Sequence, residues 1–237
     1  MTIDRAVVVI PAHDERGNLP RCLHAVLASA SALAAPTLVV VVLDACSDGS
    51  ADLAHQFGVD VHFIEVDVKN VGATRAAGFA HARSVYSTQA SDESRIWFAT
   101  TDADSRVGGE WLVRQVKADA DMVLGVVHVT NWRHFSAAAV NRYLTAYRAK
   151  SRKGGAGHGH VHGANMGFRA DVYWEEGGFA ALASGEDVDL VRRFEHSGRR
   201  IHRDARLSVE TSARSEGRAP RGFAAYLRSV SHSGGAA

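Results

Sequence analysis

The 237-residue chain has little of what marks several large protein classes. Two cysteines, Cys22 and Cys46, are too few for a disulfide framework, so a reduced interior is expected. Neither sign of charge is in excess: 27 Lys+Arg face 26 Asp+Glu, a formal net of +1. That balance provides no overall basic field for nucleic acid and no acidic block of a disordered tail. No apolar run reaches the roughly 18 residues of a membrane-spanning helix. The chain opens directly on a strand-like run, Ala6–Ile10, without the apolar region and cleavage site of a secretory signal. These absences lead to the expectation of a cytoplasmic protein with no transmembrane segment. Peripheral membrane contact and oligomerisation stay open.

What is present is an alternation of short β-branched runs with helical patterns, the mark of an α/β domain with a mostly parallel sheet. Ala6–Ile10, Thr37–Leu43, Val61–Val66 and Arg95–Thr100 read as strands. Leu19, Cys22, Leu23, Val26 and Leu27 fall at i, i+3, i+4, i+7 and i+8, one apolar helix stripe. Helices are expected from Asp48 or Ser50 to Phe57 and from Gly72 to Val85. Further helices are expected over Trp111–Lys117, Ala137–Lys150 and Asp187–His196, with strands at Met122–Val129 and Gly163–Arg169. Two brief strands are expected near Arg200–His202 and Leu207–Thr211. Ser151–His162, rich in glycine, reads as a mobile loop with solvated histidines at 158, 160 and 162. No repeat or linker divides the chain, so one domain is expected over residues 1–221, followed by a flexible tail, 222–237.

In a parallel α/β sheet, ligands bind beyond the carboxyl ends of the strands. Three clusters fall there: Pro11-Ala12-His13-Asp14-Glu15, Asp44-Ala45-Cys46-Ser47-Asp48-Gly49-Ser50 and Asp102-Ala103-Asp104. Two carboxylates at i and i+2 of an extended segment face the same way and suit a hard, oxygen-liking cation. An Asp-rich turn that bonds its own backbone is the plainer alternative. Acids gathered on one rim repel unless a cation or donor groups balance them.

These residues resemble the family 2 glycosyltransferases of the GT-A fold. Val9-Ile10-Pro11-Ala12-His13-Asp14-Glu15 is similar to their opening strand and Pro-x-x-Asn-Glu element, with Asp14 in place of Asn. Asp44 to Ser50 is similar to their nucleotide loop, Asn70-Val71-Gly72-Ala73-Thr74-Arg75 to their Asn-x-Gly segment, and Asp102-Ala103-Asp104 to their metal motif. His162-Gly163-Ala164-Asn165-Met166-Gly167 resembles the acceptor-side strand, Gly177-Gly178-Phe179 the Gly-Gly-Phe after it, and Gly185-Glu186-Asp187 the Glu-Asp opening of the catalytic helix.

The resemblance implies a single Rossmann-like GT-A domain that transfers a sugar from a nucleotide-diphosphate sugar, UDP or GDP type, with inversion. Pro11, His13, Glu15, Asp44, Ser47, Asn70, Arg75, Asp102 and Arg214 are the implied nucleotide-binding residues. Asp104, with Asp102 sharing the ion or touching ribose, is implied to hold Mn²⁺ or Mg²⁺, and His202 is a candidate further ligand. Asp187 is the implied general base, with Glu186 as partner, and His162, Gly163 and Asn165 lie on the acceptor side. Arg214 and Arg218 would clamp a diphosphate, or else are surface charge. The acceptor is a small molecule, lipid or glycan hydroxyl. The alternatives are a nucleotidyltransferase on a similar scaffold and a non-catalytic sugar-nucleotide binder. The first expects a Gly-rich, basic phosphate loop where this chain has His13-Asp14-Glu15, and the second expects loss of Asp102/Asp104 or Glu186/Asp187.

Overall fold

Strand-forming runs buried on both faces build the middle of the molecule. A computed structural model describes residues 2–87, 92–132, 135–152, 157–182 and 184–211. The strands β1 (Arg5–Ala12), β2 (Thr37–Asp44), β3 (Val61–Val66), β4 (Ile96–Thr100), β5 (Met122–Val129), β6 (Met166–Arg169) and β7 (Ile201–Thr211) form one sheet. Their order is β3-β2-β1-β4-β6-β5-β7. The β1–β2, β1–β4, β2–β3 and β5–β7 pairs are parallel, whereas β6 runs antiparallel to both β4 and β5. One reversed strand therefore divides an otherwise parallel sheet, and every parallel strand ends on the same rim.

The helices are α1 (Leu19–Ser31), α2 (Val71–Ser87), α3 (Trp111–Lys117), α4 (Ala137–Arg152), α5 (Ala170–Glu175) and α6 (Glu186–His196). Successive strand residues point to opposite faces, and β1 shows the result. Val8 and Ile10 join a core with Leu23 of α1 and Trp111 and Leu112 of α3. Val7 and Val9 join a second core with Phe79, Tyr173 and Phe194 on the other face. Gly78 permits the close approach of α2, because a Cβ there would meet Val9 Cγ1 at 2.5 Å and Val42 Cγ2 at 2.8 Å. The single α/β layout expected from the alternation is what forms.

Three expectations change. Residues 201–211 form one strand, which passes an irregularity opposite Leu124–Val126 instead of breaking. The stretch from Ser50 to Gln56 is a 3-10 helix. The short helix α5 was not expected. The domain end at 221, the tail 222–237, Arg214 and Arg218 lie outside the described residues.

Candidate active site

The loops after β1 and β2 brace each other with their acids. Asp14 takes the left-handed conformation, φ 49°, which Asn and Asp adopt more readily than most residues. That requirement explains how Asp stands where the family pattern has Asn. Its Oδ1 accepts the N–H of Ser47 at 2.6 Å and of Asp48 at 3.2 Å. Asp48 in turn accepts the N–H of Arg16 at 2.7 Å and of Ser50 at 3.0 Å. His13 donates from Nδ1 to the Asp44 carbonyl at 2.6 Å, and its Nε2 lies 3.8 Å from Asp14 Oδ2. Glu15 is buried and accepts from Asn18 Nδ2 at 2.9 Å. Pro11 lies near the end of β1, opposite Val42.

Asp44 is the hub of the next loop. Its Oδ1 accepts the N–H groups of Val68 and Lys69 at 2.9 and 2.8 Å. Its Oδ2 accepts the Asn70 N–H at 3.1 Å and the Thr74 hydroxyl at 2.8 Å. Burial works against ionisation, but these donors outweigh it and hold the carboxyl below its ordinary range. Asn70 then starts α2, its Oδ1 accepting the Ala73 N–H at 3.0 Å. Ala45 and Lys69, on either side of this carboxylate cage, take φ 51° and 48°. Left-handed backbone at residues other than glycine costs energy and gathers at functional sites.

Arg75 joins two distant parts of the chain. It is 2% exposed, so the solvated helix face is ruled out. Its Nη2 donates to Asp102 Oδ1 at 2.7 Å, Nη1 to Glu186 Oε1 at 2.5 Å, and Nε to Thr100 Oγ1 at 3.3 Å. Burial works to lower its pKa, and Asp102, Glu186 and Asp187 overcome that and keep it charged. Glu186 is buried too, and burial raises its pKa despite the guanidinium beside it. Glycine backbone makes room for the pair. A Cβ on Gly163 would meet Arg75 Nη2 at 2.6 Å, and one on Gly72 would meet the Ala180 carbonyl at 2.1 Å.

Asp102 and Asp104 follow β4 directly, both half-buried. Beneath them lies the buried Cys22 thiol, whose pKa is pushed up by burial and then by Asp104, Asp102 and Glu15. Three carboxylates from two loops thus act on one atom. Thr211, where β7 ends, meets Ser105 at 3.1 Å between hydroxyls, so the far edge of the sheet also reaches this corner. The donors here are oxygens, the set a hard cation such as Mn²⁺ or Mg²⁺ takes. Asp14, Cys46 and Asp48 form another close group of potential ligands. Their atoms are committed to the loop brace, and burial followed by nearby acids raises the Cys46 pKa, so this thiol does not suit a metal.

The base candidate sits across Arg75 from these acids. Asp187 Oδ2 accepts the Gly163 N–H at 2.9 Å and Oδ1 its neighbour Val188 N–H at 2.7 Å, at the N-terminus of α6. A helix N-terminus favours the ionised carboxylate. The preceding residue, His162, meets the Tyr147 hydroxyl at 3.2 Å, and that hydroxyl accepts the Val127 N–H at 3.0 Å. His160 stacks on Tyr147 with centroids 3.8 Å apart and bonds Ser151 through Nε2 at 2.8 Å. His158 donates from Nε2 to the Leu124 carbonyl at 3.1 Å.

The expectation of solvated histidines is therefore corrected: His158 and His160 are 0% and 1% exposed. Their alternate spacing is the signal that an extended segment lays three rings on one side. Asn165, expected on the acceptor side, is wholly buried. It donates to Val126 and Leu207 carbonyls at 2.8 Å each and accepts from Trp111 Nε1 at 2.9 Å. It fixes the frame behind the site. His202 lies at the start of β7, opposite Val123, whereas the strand meets the acidic corner at Thr211. The β5 partners of His202 and Thr211, Val123 and Val129, stand about 20 Å apart along the sheet at ~3.3 Å per residue, so His202 is no metal ligand. Sequence reading missed Thr74, Thr100 and the role of Tyr147.

The family model "Glycosyl transferase family 2" matches residues 7–177. Among solved structures, S. aureus TarS 1–349 in complex with UDP-GlcNAc has a TM-score of 0.62 at 14% identity, covering 92% of this chain and 61% of that one. The UDP complex of the same fragment has a TM-score of 0.61 at 14% identity, covering 89% and 61%. The longer S. aureus TarS structure has a TM-score of 0.61 at 15% identity, covering 90% of this chain and 37% of that one. This chain thus spans about three fifths of the TarS fragment. No significant sequence match was found among curated proteins.

Proposed function

The chain belongs to glycosyl transferase family 2, and from that premise we propose that it is an inverting transferase that moves a sugar from a nucleoside-diphosphate sugar to an acceptor hydroxyl. The observation that carries the reading is the Arg75 bridge. One buried cation ties Asp102, on the donor side, to Glu186, beside the acceptor-side Asp187. An acid at a nucleotide site and a carboxylate for proton transfer are thereby held in one frame.

Each residue has a role that its surroundings support. The Asp44 cage and the Asp14 brace shape the pocket for the base, and a base N–H reaching Asp44 shares Oδ2 with Asn70 and Thr74. His13 offers Nε2 and Ser47 its hydroxyl at the pocket mouth, with Pro11 and Glu15 setting its floor. Asp104 and Asp102 would hold Mn²⁺ or Mg²⁺, which when bound neutralises charge growing on the diphosphate. Asp102 shares its charge with Arg75, so Asp104 is the main ligand in this reading. Arg214 lies outside the described residues, and in this reading it keeps the diphosphate role that the family resemblance implies.

On the acceptor side, Asp187 takes the proton as the hydroxyl oxygen attacks the anomeric carbon and the nucleoside diphosphate departs with the bonding electrons. The Gly163 N–H holds the carboxylate in place at the start of α6. Glu186 stays bonded to Arg75, so it positions rather than accepts the proton. A TarS fragment carries UDP-GlcNAc, which makes UDP-sugars the first donors to try. No helix among the described residues is long and apolar enough to cross a membrane. Incubation with UDP-sugars and Mn²⁺ tests the reading: nucleotide release that needs both divalent ion and Asp104 supports it. Release of pyrophosphate from a nucleoside triphosphate in its place would move the chain to the nucleotidyltransferases.

A further inference from the structure

Three rings alternate along residues 158–162, and the hydrogen bonds around two of them fix which nitrogen carries the proton. His158 Nε2 donates to the Leu124 carbonyl at 3.1 Å and its Nδ1 accepts the His160 N–H at 3.2 Å, so its proton is on Nε2. His162 takes the opposite form. The Tyr147 hydroxyl accepts the Val127 N–H at 3.0 Å, and its remaining polar contact is His162 Nε2 at 3.2 Å. A phenol has one proton to give. If His162 donated in its place, one oxygen would accept twice and the phenol proton would have no partner among the described residues. Tyr147 therefore donates, Nε2 accepts, and the ring proton sits on Nδ1. Burial, then His160, Lys150 and His158, push the His162 pKa down to about 3, so the ring is neutral. The residue as a whole is half-buried, and Nδ1 has no hydrogen-bond partner among the described residues without being sealed from solvent. A neutral N–H donor is thus open one residue before Gly163, whose own N–H holds Asp187 at 2.9 Å.

We propose that Tyr147 is a positioning residue of the transfer: it locks His162 as a neutral Nδ1–H donor that binds an oxygen of the acceptor beside Asp187. The inference rests on the glycosyl-transfer reading and deepens its acceptor side. A ring in this form has no free lone pair, because Nε2 is taken by the Tyr147 proton. It cannot compete with Asp187 for the proton of the attacking hydroxyl, so the site keeps one base. In the other tautomer Nδ1 would be an acceptor and would draw that same proton. The partner of an Nδ1–H must carry a lone pair, so a hydroxyl, carboxylate or phosphate oxygen fits this position and an ammonium does not. Tyr147 is itself well held, stacked on His160 with centroids 3.8 Å apart and bonded to the β5 backbone through Val127.

The lock is read without any turnover. In two-bond ¹H–¹⁵N spectra of the full chain at about pH 7, the ring signals lost in His162→Leu belong to His162 and should show a neutral ring protonated on Nδ1. Tyr147→Phe should release the ring to the Nε2–H form or a mixture. A ring protonated on Nε2 in the unaltered chain, or one that Tyr147→Phe leaves unchanged, overturns the lock. Nucleotide release from a UDP-sugar with Mn²⁺ reads the role. Tyr147→Phe should slow it about two- to tenfold, the worth of one hydrogen bond, with the UDP thermal shift unchanged. Added to His162→Leu it should cost nothing further, whereas independent contributions would multiply. His162→Asn, whose short side chain carries an amide N–H near the Nδ1 position, should recover part of what His162→Leu loses. Thermal melting confirms that each variant is folded at the assay temperature. Effects that multiply, or an asparagine variant no better than the leucine one, overturn the role. A locked ring in a chain that releases nucleotide from neither UDP- nor GDP-sugars would overturn the transfer reading, and the role with it, while the lock itself stands.

Discussion

Arg75 is the residue on which the two halves of the site depend. A buried guanidinium can contact two carboxylates at once because its planar fork carries several fixed donors, which a lysine ammonium does not. Removing one partner of a buried pair leaves a charge without compensation, at a cost of about 3–5 kcal/mol. Arg75→Ala should lower stability by about that amount in urea unfolding, and Arg75→Lys should fall in between. A loss under ~1 kcal/mol for the alanine variant would show that the bridge is dispensable. Asp187→Asn is a different kind of change. It keeps an oxygen for the Gly163 N–H but removes the proposed proton acceptor, so turnover should drop about 10²–10⁴-fold while nucleotide affinity holds. At this scale the acids were legible because they come in short strings, Asp102-Ala103-Asp104 and Glu186-Asp187. The role of Arg75 was not, since Glu186 is 111 residues away and nothing local distinguishes a bridging arginine from a solvated one. Asn165 misled for the same reason: its partners, Val126, Leu207 and Trp111, come from three elements.

Among the elements, the segment from His158 to His162 carries the clearest pH signature. Burial lowers the pKa of His160 to about 4 and of His162 to about 3, with neighbouring rings and Lys150 adding to the effect. Both stand against an unfolded value near 6.5. As pH falls below that value the unfolded chain takes up protons that the folded chain refuses. Stability is therefore full above about pH 6.5 and declines until the folded pKa is reached, near 4 for His160. For the buried His160 the loss is on the order of 3 kcal/mol. His160→Gln should flatten the fall of the melting temperature between pH 6.5 and about 4, and an unchanged slope would mean the ring is not buried in solution. The histidine spacing was legible, but its burial was not, because glycines around it suggested a loop and the stacking partner Tyr147 lies on another element. β7 teaches the converse. Arg203, Asp204 and Arg206 interrupt its apolar pattern, so it read as two strands, yet pairing with β5 resumes after the irregularity.

For the whole molecule, the alternation of strands and helices was enough to foresee one α/β domain, since β1, β2 and β4 are apolar on both faces as buried parallel strands must be. The reversed β6 was not foreseeable from its own four residues, Met166–Arg169. Its insertion is what brings Gly163 and Asp187 next to β4 and the acids that follow it. If the proposed donor site at the ends of β1, β2 and β4 holds, a nucleoside diphosphate is predicted to stabilise the fold as a whole. At a concentration 100 times its Kd the gain is about 2.7 kcal/mol, read as a rise in melting temperature that grows when Mn²⁺ is added.

The central claim is that donor binding and proton transfer are separate tasks of one frame, and a single paired assay addresses it. Nucleotide release from a UDP-sugar, with Mn²⁺, is measured for the unaltered chain and for Asp187→Asn, alongside the thermal shift each shows with UDP. The account predicts equal thermal shifts and release lowered by at least about 100-fold in the variant. Release that survives the substitution, or a UDP shift lost along with it, would contradict the account.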